Sequence, residues 1–270
     1  MKKKIKTFQL FTRNDNTSKE IANNFRTSFA SFTDPIVESD DGDLVIAIGG
    51  DGTFLDAVSN SKFSKEKIYA GVNTGTLGFL QNISPKEFDL FISFLSETKE
   101  VVTRKLYVLE ITITLENGKK YSFNAINEIA ISGIHCGQIS FDEYIEDELF
   151  QNIHCDKVMV SSNTGDTAHS MNCGGPIDFS GHYLLVRSFD SVIKNSAYEN
   201  CLPNPIVASN LRYELEKKYK SEIIIDGIFK EFKSAVSTVE IRVSSENYIN
   251  KLELGEYSKV HTVRSKILGI

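Results

Sequence analysis

The stretch with the clearest capacity for chemistry is a glycine-rich turn around Asp51. Gly49, Gly50 and Gly52 surround this single carboxylate, and Thr53 follows it. Glycine lets a backbone turn tightly or approach a ligand closely, and Thr53 can help to open a helix whose free N–H groups favour a phosphate. Because a carboxylate repels a phosphate, we expect Asp51 to have a task such as accepting a proton. A plain strand-to-helix turn with a capping aspartate is the alternative.

The pattern on either side of this turn alternates between strands and helices. Leu44 to Ile48 and Ile68 to Val72 are short apolar runs typical of buried strands, and residues at helical spacing lie between them. This alternation predicts an α/β domain over residues 1–100, with a parallel sheet and flanking helices. Ligands of such sheets bind at the carboxyl ends of the strands, where the turns at 49–52 and 73–78 both fall.

The character of the chain changes near residue 101. From there on, short β-rich segments alternate with turn signals, which predicts a second, mostly antiparallel all-β domain over 101–254. Within it we expect one strand over 121–132 and separate strands over 239–243 and 251–254. The sequence leaves open whether residues 255–270 return to the first domain.

Composition and charge exclude several classes of partner. The 270 residues are 41% hydrophobic and 24% charged, with a formal net charge of −6, as in a soluble protein of one large or two medium domains. No basic run is long enough for nucleic acid, and no apolar run approaches the roughly 18–20 residues of a membrane span. The apolar part of the N-terminal segment is too short for a signal peptide. We therefore expect no nucleic-acid partner, no membrane partner and a cytoplasmic location.

Two pairs of neighbouring His and Cys residues raise the question of a metal site. His135-Cys136 and His154-Cys155 each lie in a strand-like segment, where neighbouring side chains point to opposite faces. One metal ion could not easily bind both members of a pair. We therefore predict buried thiols and no metal ligands from the protein.

Three further segments place polar residues or glycines beside apolar strands. They are Asn73 to Leu80, Asn127-Glu128 within an apolar strand, and the loop from Asn163 to Ile177. An amide and a carboxylate are costly to bury without partners, so Asn127 and Glu128 are candidates to bind a polar ligand. The alternative is a pair on an edge strand that faces water.

Together these segments resemble the NAD kinase family. Gly49 to Thr53 matches its Gly-Gly-Asp-Gly-Thr signature, which the diacylglycerol and sphingosine kinases and the 6-phosphofructokinases share. Asn73 to Leu80 matches a segment that the lipid kinases lack, and Asn127-Glu128 matches an Asn-Glu or Asn-Asp pair. The loop 163–177 is similar to Pro-Thr-Gly-Ser-Thr-Ala-Tyr followed by Gly-Gly-Pro. The resemblance extends from about residue 43 to residue 227.

The resemblance implies transfer of a phosphoryl group from ATP or polyphosphate to the 2′-hydroxyl of the adenosine ribose of NAD, which gives NADP. Asp51 would be the general base, since that hydroxyl is a poor nucleophile. Gly50, Gly52 and Thr53 would hold the donor phosphates through backbone N–H groups. Mg²⁺ or another divalent cation would be held through the same phosphates, and a homodimer or homotetramer is implied.

The resemblance also implies a set of nucleotide contacts. Asn127 and Glu128 would bind the adenine and ribose, while His169 would stack where the family has a tyrosine and Asn172 would replace a serine. Departures from the family motif cluster in the loop 163–177, so they concern ligand affinity and the choice of phosphoryl donor. The remaining implied contacts are Phe79, His154, Asp156, Thr164, Thr167, Ala168, Asp190 and Asp226.

Two other functions remain open. A non-catalytic NAD(H)-binding regulatory protein would explain the departures in the 163–172 loop, but the intact Asp51 argues against it. A lipid kinase of the diacylglycerol type would share the Asp51 motif, but it would not explain Asn73 to Leu80 or Asn127-Glu128. Formation of NADP by the purified protein distinguishes these functions.

Overall fold

The chain divides into two compact units. Unit 1 consists of Met1–Leu106 with Asn247–Ile270, and unit 2 consists of Tyr107–Glu246. Unit 1 thus includes the segment 255–270. The computed structural model describes residues 5–98, 101–181, 185–192, 201–218 and 220–269. Within these ranges no helix is both long enough and apolar enough to cross a bilayer.

The secondary structure is dominated by strands. The strands are β1 (Thr7–Thr12), β2 (Val37–Glu38), β3 (Leu44–Gly49), β4 (Ile68–Asn73), β5 (Thr103–Leu115), β6 (Lys120–Ala125), β7 (Glu128–Gly133), β8 (Ile139–Ile145), β9 (Glu148–Ser161), β10 (Leu185–Val192), β11 (Ile206–Ala208), β12 (Asn210–Leu215), β13 (Ser221–Ile225), β14 (Ile228–Lys230) and β15 (Val236–Leu252). The α-helices are α1 (Asn16–Ala30), α2 (Asp51–Asn60), α3 (Phe88–Thr98), α4 (His169–Asn172) and α5 (Lys259–Val263). Short 3₁₀ turns lie at Pro85–Glu87, Ile134–Cys136 and Gly165–Thr167, and a π-helical turn lies at Arg264–Leu268.

Unit 1 is built on a parallel sheet. β1 pairs with β2 and β3, β3 pairs with β4, and the end of β15 pairs with β4 through Asn250 and Lys251, all in parallel. β3 is buried along its whole length, as expected for a strand inside a parallel sheet. The α/β fold that the sequence predicts for this part of the chain is confirmed.

Helix α1 illustrates how the sequence builds the core of unit 1. The side chain of Asp15 caps the helix by accepting the N–H of Ser18 at 3.0 Å, and apolar residues at helical spacing are buried. Among these, Phe25 and Phe29 are fully buried, and the ring of Phe29 lies 4.8 Å from that of Phe8 on β1. The helix thereby packs an aromatic face onto the sheet that carries the Asp51 turn.

Unit 2 is mostly antiparallel, as predicted. β9 pairs with β7, β8 and β10, while β12 pairs with β8 and with β15. β5 and β6 form a hairpin whose turn holds Gly118 at φ +79°, a conformation that favours glycine. Branched aliphatic residues from these strands form one buried core, which fixes the backbone around Asn127 and Glu128.

The prediction of a single strand over 121–132 is wrong. β6 ends at Ala125 and β7 begins at Glu128. The strand is interrupted because the backbone N–H groups of residues 126–128 all donate to the carboxylate of Asp226. The break therefore coincides with the predicted ligand-binding pair.

A predicted break between two later strands is absent. The sequence favours separate strands over 239–243 and 251–254, yet β15 is continuous from Val236 to Leu252. In the polar stretch between them, the hydroxyl of Ser244 donates to the carboxylate of Glu110 at 2.7 Å. Contacts with other strands override a weak local preference for a turn.

Candidate active site

Asp51 is the first residue of α2, and only Gly50 separates it from the end of β3, so it lies at the carboxyl end of a parallel strand. Its two carboxylate oxygens accept the backbone N–H groups of Phe79 and Leu80, each at 2.9 Å. This one side chain thus joins the turn at 49–52 to the two residues that directly follow the turn at 73–78. A carboxylate held at both oxygens has a fixed orientation, and each oxygen keeps a further lone pair.

The glycines of the Asp51 turn fall into two classes. A Cβ on Gly49 would overlap the side chain of Thr53, so packing requires a glycine there. A Cβ on Gly50 or Gly52 would have no atom within 4 Å, so packing does not explain these two glycines. The open space in front of them suits a ligand that approaches the backbone at the start of α2.

The start of α2 differs in one respect from the sequence interpretation. Gly50 is the N-cap residue, with extended backbone and no side chain to cap the helix, whereas Thr53 is the third helical residue. The expectation that Thr53 opens the helix is therefore wrong. The N–H of Thr53 donates to the carbonyl of Gly50 at 3.0 Å, which closes the first turn of the helix. The N–H groups that precede it are the ones that a helix cannot satisfy internally.

The segment 79–82 supports the Asp51 turn. Beyond the two N–H groups that bind Asp51, the side-chain amide of Gln81 donates to the carbonyl of Gly50. Gln81 is buried, and sequence reasoning did not identify it. Phe79 is half-buried and borders a cavity of about 390 Å³ within unit 1.

In unit 2, Asp226 organises the predicted ligand-binding pair. It occupies a tight turn at φ +47°, followed by Gly227 at φ +79°. Its carboxylate accepts the N–H groups of Ile126 at 2.7 Å, Asn127 at 2.8 Å and Glu128 at 3.1 Å. Burial raises the pKa of Asp226, while these three donors act in the opposite direction. The carboxylate is thus committed to the backbone that presents Asn127 and Glu128.

Asn127 and Glu128 each present a buried oxygen. Neither Oδ1 of Asn127 nor Oε2 of Glu128 has a hydrogen-bond partner among the described residues. Burial, and next the charge of Asp226, raise the pKa of Glu128 to about 8. Because a buried polar atom without a partner costs free energy, both atoms suit a ligand that supplies hydrogen bonds.

The loop after β9 packs directly on Asn127. Ser162 links the two segments: its hydroxyl donates to the carbonyl of Ile126 at 2.6 Å and accepts the N–H groups of Thr164 and Gly165 at 3.0 and 3.1 Å. A Cβ on Gly165 would overlap the carbonyl of Asn127, which requires glycine at this position. Ser162 was missed by sequence reasoning, since a lone serine after a strand carries no local signal.

The rest of this loop contains the departures from the family motif. Asp166 is fully buried and accepts the N–H of Asp178 at 2.7 Å, so it stabilises the loop internally. Thr167 is buried and Ala168 is half-buried, whereas His169 and Asn172 on α4 are exposed. An exposed imidazole at the start of α4 is accessible for stacking.

The remaining predicted contacts lie on β9 and β10. Asp190 pairs in register with Lys157, and its carboxylate lies 3.8 Å from that ammonium. His154 is buried, and its Nε2 lies 2.8 Å from Oε1 of Gln138. Asp156 is half-buried on β9. The structure thus brings Asn127, Glu128, Asp226 and the loop at 163–165 together, while His154 packs with Gln138.

A metal centre made of protein side chains was not predicted. Within the described ranges no three His, Cys, Asp or Glu residues form a group that could hold a metal ion. The side chain of Cys136, from one of the two His-Cys pairs, lies outside the described residues.

Comparison with known proteins adds an independent line of argument. The model for the ATP-NAD kinase N-terminal domain matches residues 3–101, which include the Asp51 turn. The NAD kinase of Finegoldia magna is 31% identical over 226 residues, 81% of each chain. The NAD kinase of Flavobacterium psychrophilum is 28% identical over 255 residues, 93% of this chain and 83% of the relative.

Two solved structures share the fold. The yeast NADH kinase complexed with NADH superimposes with a TM-score of 0.85 at 17% identity, covering 99% of this chain and 89% of the other. The Archaeoglobus fulgidus NAD kinase in complex with ATP has a TM-score of 0.74 at 18% identity, covering 98% and 99%. From the sequence relatives and the family model, the chain belongs to the NAD kinase family, as its motifs predicted.

Proposed function

We propose that this protein catalyses the reaction of its family, phosphorylation of NAD at the 2′-hydroxyl of the adenosine ribose. The 2′-oxygen forms a bond to the terminal phosphorus of ATP while the bond from that phosphorus to the bridging oxygen breaks, and ADP and NADP leave. The observation that carries the proposal is the carboxylate of Asp51, which two backbone N–H groups hold at the open start of α2.

Asp51 would take the proton of the attacking hydroxyl. A base positioned for proton transfer contributes about 10²–10⁴-fold to rate. The N–H groups of Phe79 and Leu80 keep the carboxylate from rotating, and its remaining lone pairs stay available for the hydroxyl. These contacts favour a catalytic role over a plain capping role.

The start of α2 would hold the donor phosphates. The backbone N–H groups of Gly50, Gly52 and Thr53 are the proposed donors, and the space in front of both glycines is open. The N–H of Thr53 also donates to the carbonyl of Gly50 at 3.0 Å, so it would share its hydrogen with a phosphate. We propose that Mg²⁺, or another divalent cation, is held through the donor phosphates, which fits a turn with one carboxylate and several N–H donors. When bound, the cation offsets the negative charge on the phosphoryl oxygens.

The proposed NAD contacts lie mainly in unit 2. Asn127 and Glu128 would bind adenine and ribose through the two oxygens that have no partner among the described residues. His169 would stack on the nucleotide and Asn172 would donate a hydrogen bond, since both are exposed on α4. The other proposed contacts are Phe79, His154, Asp156, Thr164, Thr167, Ala168, Asp190 and, through the backbone it holds, Asp226.

The direct test is an assay of NADP formation. The purified protein is incubated with NAD, Mg²⁺ and either ATP or polyphosphate, and NADP is measured with an NADP-specific dehydrogenase. Formation of NADP that Asp51→Asn abolishes supports the reaction and the base. Binding of NAD by calorimetry without NADP from either donor would overturn the proposal in favour of a non-catalytic NAD(H)-binding protein.

We also propose a homodimer or homotetramer, from the family resemblance, and a cytoplasmic location, as the composition predicts. Light scattering of the purified protein measures the assembly. A monomer at micromolar concentration would contradict the proposed oligomer, and the assay above does not depend on this result.

A further inference from the structure

Gln81 is a buried side chain of unit 1 that contacts the backbone of the Asp51 turn. Its side-chain amide donates to the carbonyl of Gly50, the N-cap residue of α2. Its exposed fraction is 1%, and its Oε1 has no hydrogen-bond partner among the described residues. Because burial of a polar atom without a partner costs free energy, packing alone would favour an apolar side chain of similar size. The contact that the amide makes is therefore the feature to explain.

Three consecutive residues, Phe79 to Gln81, bind the Asp51 turn. The backbone N–H groups of Phe79 and Leu80 bind the carboxylate of Asp51, each at 2.9 Å. The side chain of Gln81 binds the carbonyl of Gly50. The first two contacts use main-chain N–H groups, which every residue except proline provides. Of the three contacts, only the third depends on the identity of a side chain, so a substitution can test it directly.

The carbonyl of Gly50 belongs to a part of the backbone that packing does not restrain. A Cβ on Gly50 or Gly52 would meet no atom within 4 Å, and glycine has more conformational freedom than any other residue. The N–H groups of Thr53 and Phe54 also donate to this carbonyl, at 3.0 and 3.3 Å, but they belong to α2 and move with it. Gln81 donates from outside the helix, so it ties the start of α2 to another segment.

The segment that carries Gln81 is anchored to the parallel sheet. The N–H of Ile83 donates to the carbonyl of Gly71 on β4 at 3.0 Å, and the side-chain amide of Asn82 donates to Glu253 at 2.7 Å. A Cβ on Gly71 would lie 2.9 Å from Cα of Gln81, so the segment packs directly on the strand. A hydrogen bond from this segment therefore fixes the start of α2 relative to the sheet.

The contact also orients the peptide group between Gly50 and Asp51. That group is planar and trans, so its carbonyl and its N–H point in opposite directions. A donor that holds the carbonyl therefore sets the direction of the N–H of Asp51, which is one of the groups that a helix cannot satisfy internally.

We propose that Gln81 is a positioning residue for phosphoryl transfer. Its amide holds the start of α2 and the carboxylate of Asp51 in one arrangement, so that both keep their directions toward the donor phosphates and the attacking hydroxyl. The inference rests on the proposed function, in which Asp51 is the base and the start of α2 binds the donor.

The first test removes the amide. Gln81→Met keeps a similar size without burying a charge, and kcat should fall about tenfold, since misplacement of a reacting group by about 1 Å can cost 10²-fold. KM for NAD should stay within about twofold, because the proposed adenine and ribose contacts lie in unit 2. A melting curve shows whether the variant is folded.

Gln81→Glu adds a dependence on pH that distinguishes positioning from a purely structural role. Its protonated carboxyl can donate to the carbonyl of Gly50, whereas the ionised carboxylate can only accept and would repel that oxygen. Burial raises the pKa of such a carboxyl, to as high as about 8–9 in known cases. The ratio of its kcat to that of the wild type should therefore be highest near pH 6 and fall about tenfold by about pH 9.

A matched control is Asn250→Asp, which places a carboxyl at another buried amide of unit 1. Asn250 has an exposed fraction of 4%, and its amide donates to the carbonyl of Lys65 at 2.6 Å. It pairs with Ile68 at the beginning of β4, whereas the Asp51 turn lies at the carboxyl end of the sheet. Its kcat ratio should stay flat over the same pH range, even where its stability falls.

Other ionisable groups around the segment 79–82 are shared by the variants and the wild type. Taking the ratio to the wild type at each pH therefore removes their own titration from the result. They are Asp51, Glu253 with its partners Arg104 and Lys251, and Tyr69 on β4, whose pKa burial raises to about 12.

A folded Gln81→Met with the kcat of the wild type would overturn the inference. A ratio for Gln81→Glu as flat as that of Asn250→Asp would overturn it as well, and if one of the two Gln81 variants does not fold, the other decides the question. Both outcomes leave the proposed function intact, because the wild type still forms NADP. Absence of NADP from the wild type, or full turnover by Asp51→Asn, would instead overturn the proposed reaction or its base.

Discussion

The Asp51 turn in unit 1 and the Asn127-Glu128 segment in unit 2 differ in whether the oxygens of their polar side chains have hydrogen-bond partners. Both oxygens of Asp51 are bound by backbone N–H groups, whereas Asn127 and Glu128 each bury an oxygen that has no partner among the described residues. A proposed base needs a fixed orientation before substrate arrives, because misplacement by about 1 Å can cost 10²-fold in rate. A recognition group needs an unmet hydrogen bond, because that bond is what the ligand supplies.

The two regions also differ in how they are held. The Asp51 carboxylate is positioned by main-chain groups of a neighbouring turn. In unit 2 the relation is reversed, because the carboxylate of Asp226 positions the main chain of residues 126–128. Substitutions in the two regions should therefore separate into effects on turnover and effects on NAD binding, and the following predictions test that separation.

The largest expected effect is that of Asp51→Asn. The amide cannot accept the proton of the hydroxyl, so kcat should fall about 10²–10⁴-fold. NAD affinity measured by calorimetry should change little, because the proposed adenine and ribose contacts are elsewhere. A variant that lost NAD binding in parallel with turnover would break the separation between the two regions.

The glycines of the Asp51 turn provide a paired test. Gly49→Ala should lower the free energy of unfolding by about 1–3 kcal/mol, because its Cβ overlaps the side chain of Thr53. Gly52→Ala should leave stability unchanged or raise it by up to about 1 kcal/mol, yet raise KM for ATP about tenfold by filling the proposed phosphate space. Urea unfolding and donor kinetics measure the two effects. An unchanged KM for ATP in Gly52→Ala would contradict the proposed phosphate contact.

Asp226→Asn tests the region in unit 2. The variant loses acceptor capacity for the N–H groups of residues 126–128, which should cost about 1–3 kcal/mol of stability and weaken NAD binding. KM for ATP should stay near its wild-type value. An equal loss of affinity for both substrates would show that Asp226 supports more than the Asn127-Glu128 segment.

The most gradual expected effect concerns Glu128 and pH. Its pKa is raised to about 8, so between about pH 5 and pH 8 the folded state retains a proton that the unfolded state releases. The free energy of unfolding of the wild type should fall as pH rises through this window. The free energy of unfolding of Glu128→Gln should rise relative to that of the wild type by up to about 1 kcal/mol per pH unit. Denaturant unfolding at several pH values measures the difference. Parallel pH dependences would contradict the raised pKa.

Local pattern was sufficient for much of the fold. The apolar run before Asp51, the helical spacing that buries Phe25 and Phe29, and the turn at Gly118 all depend on neighbours within a few residues. Where local preferences compete with contacts between residues far apart in the chain, the local pattern predicts the strand boundaries wrongly. It predicts two strands where β15 is one, and one strand where β6 and β7 are two, because pairing with distant strands and the carboxylate of Asp226 decide the outcome.

By itself, the sequence determined the family, the two-part α/β and all-β architecture and the identity of the proposed base, since each is expressed in contiguous motifs. Only the tertiary structure decided what holds these residues. Phe79 and Leu80 bind Asp51 from 28 and 29 positions away, and Asp226 binds residues about 100 positions before it. Such contacts depend on which strands lie side by side, and that arrangement results from burial over the whole chain and not from local spacing.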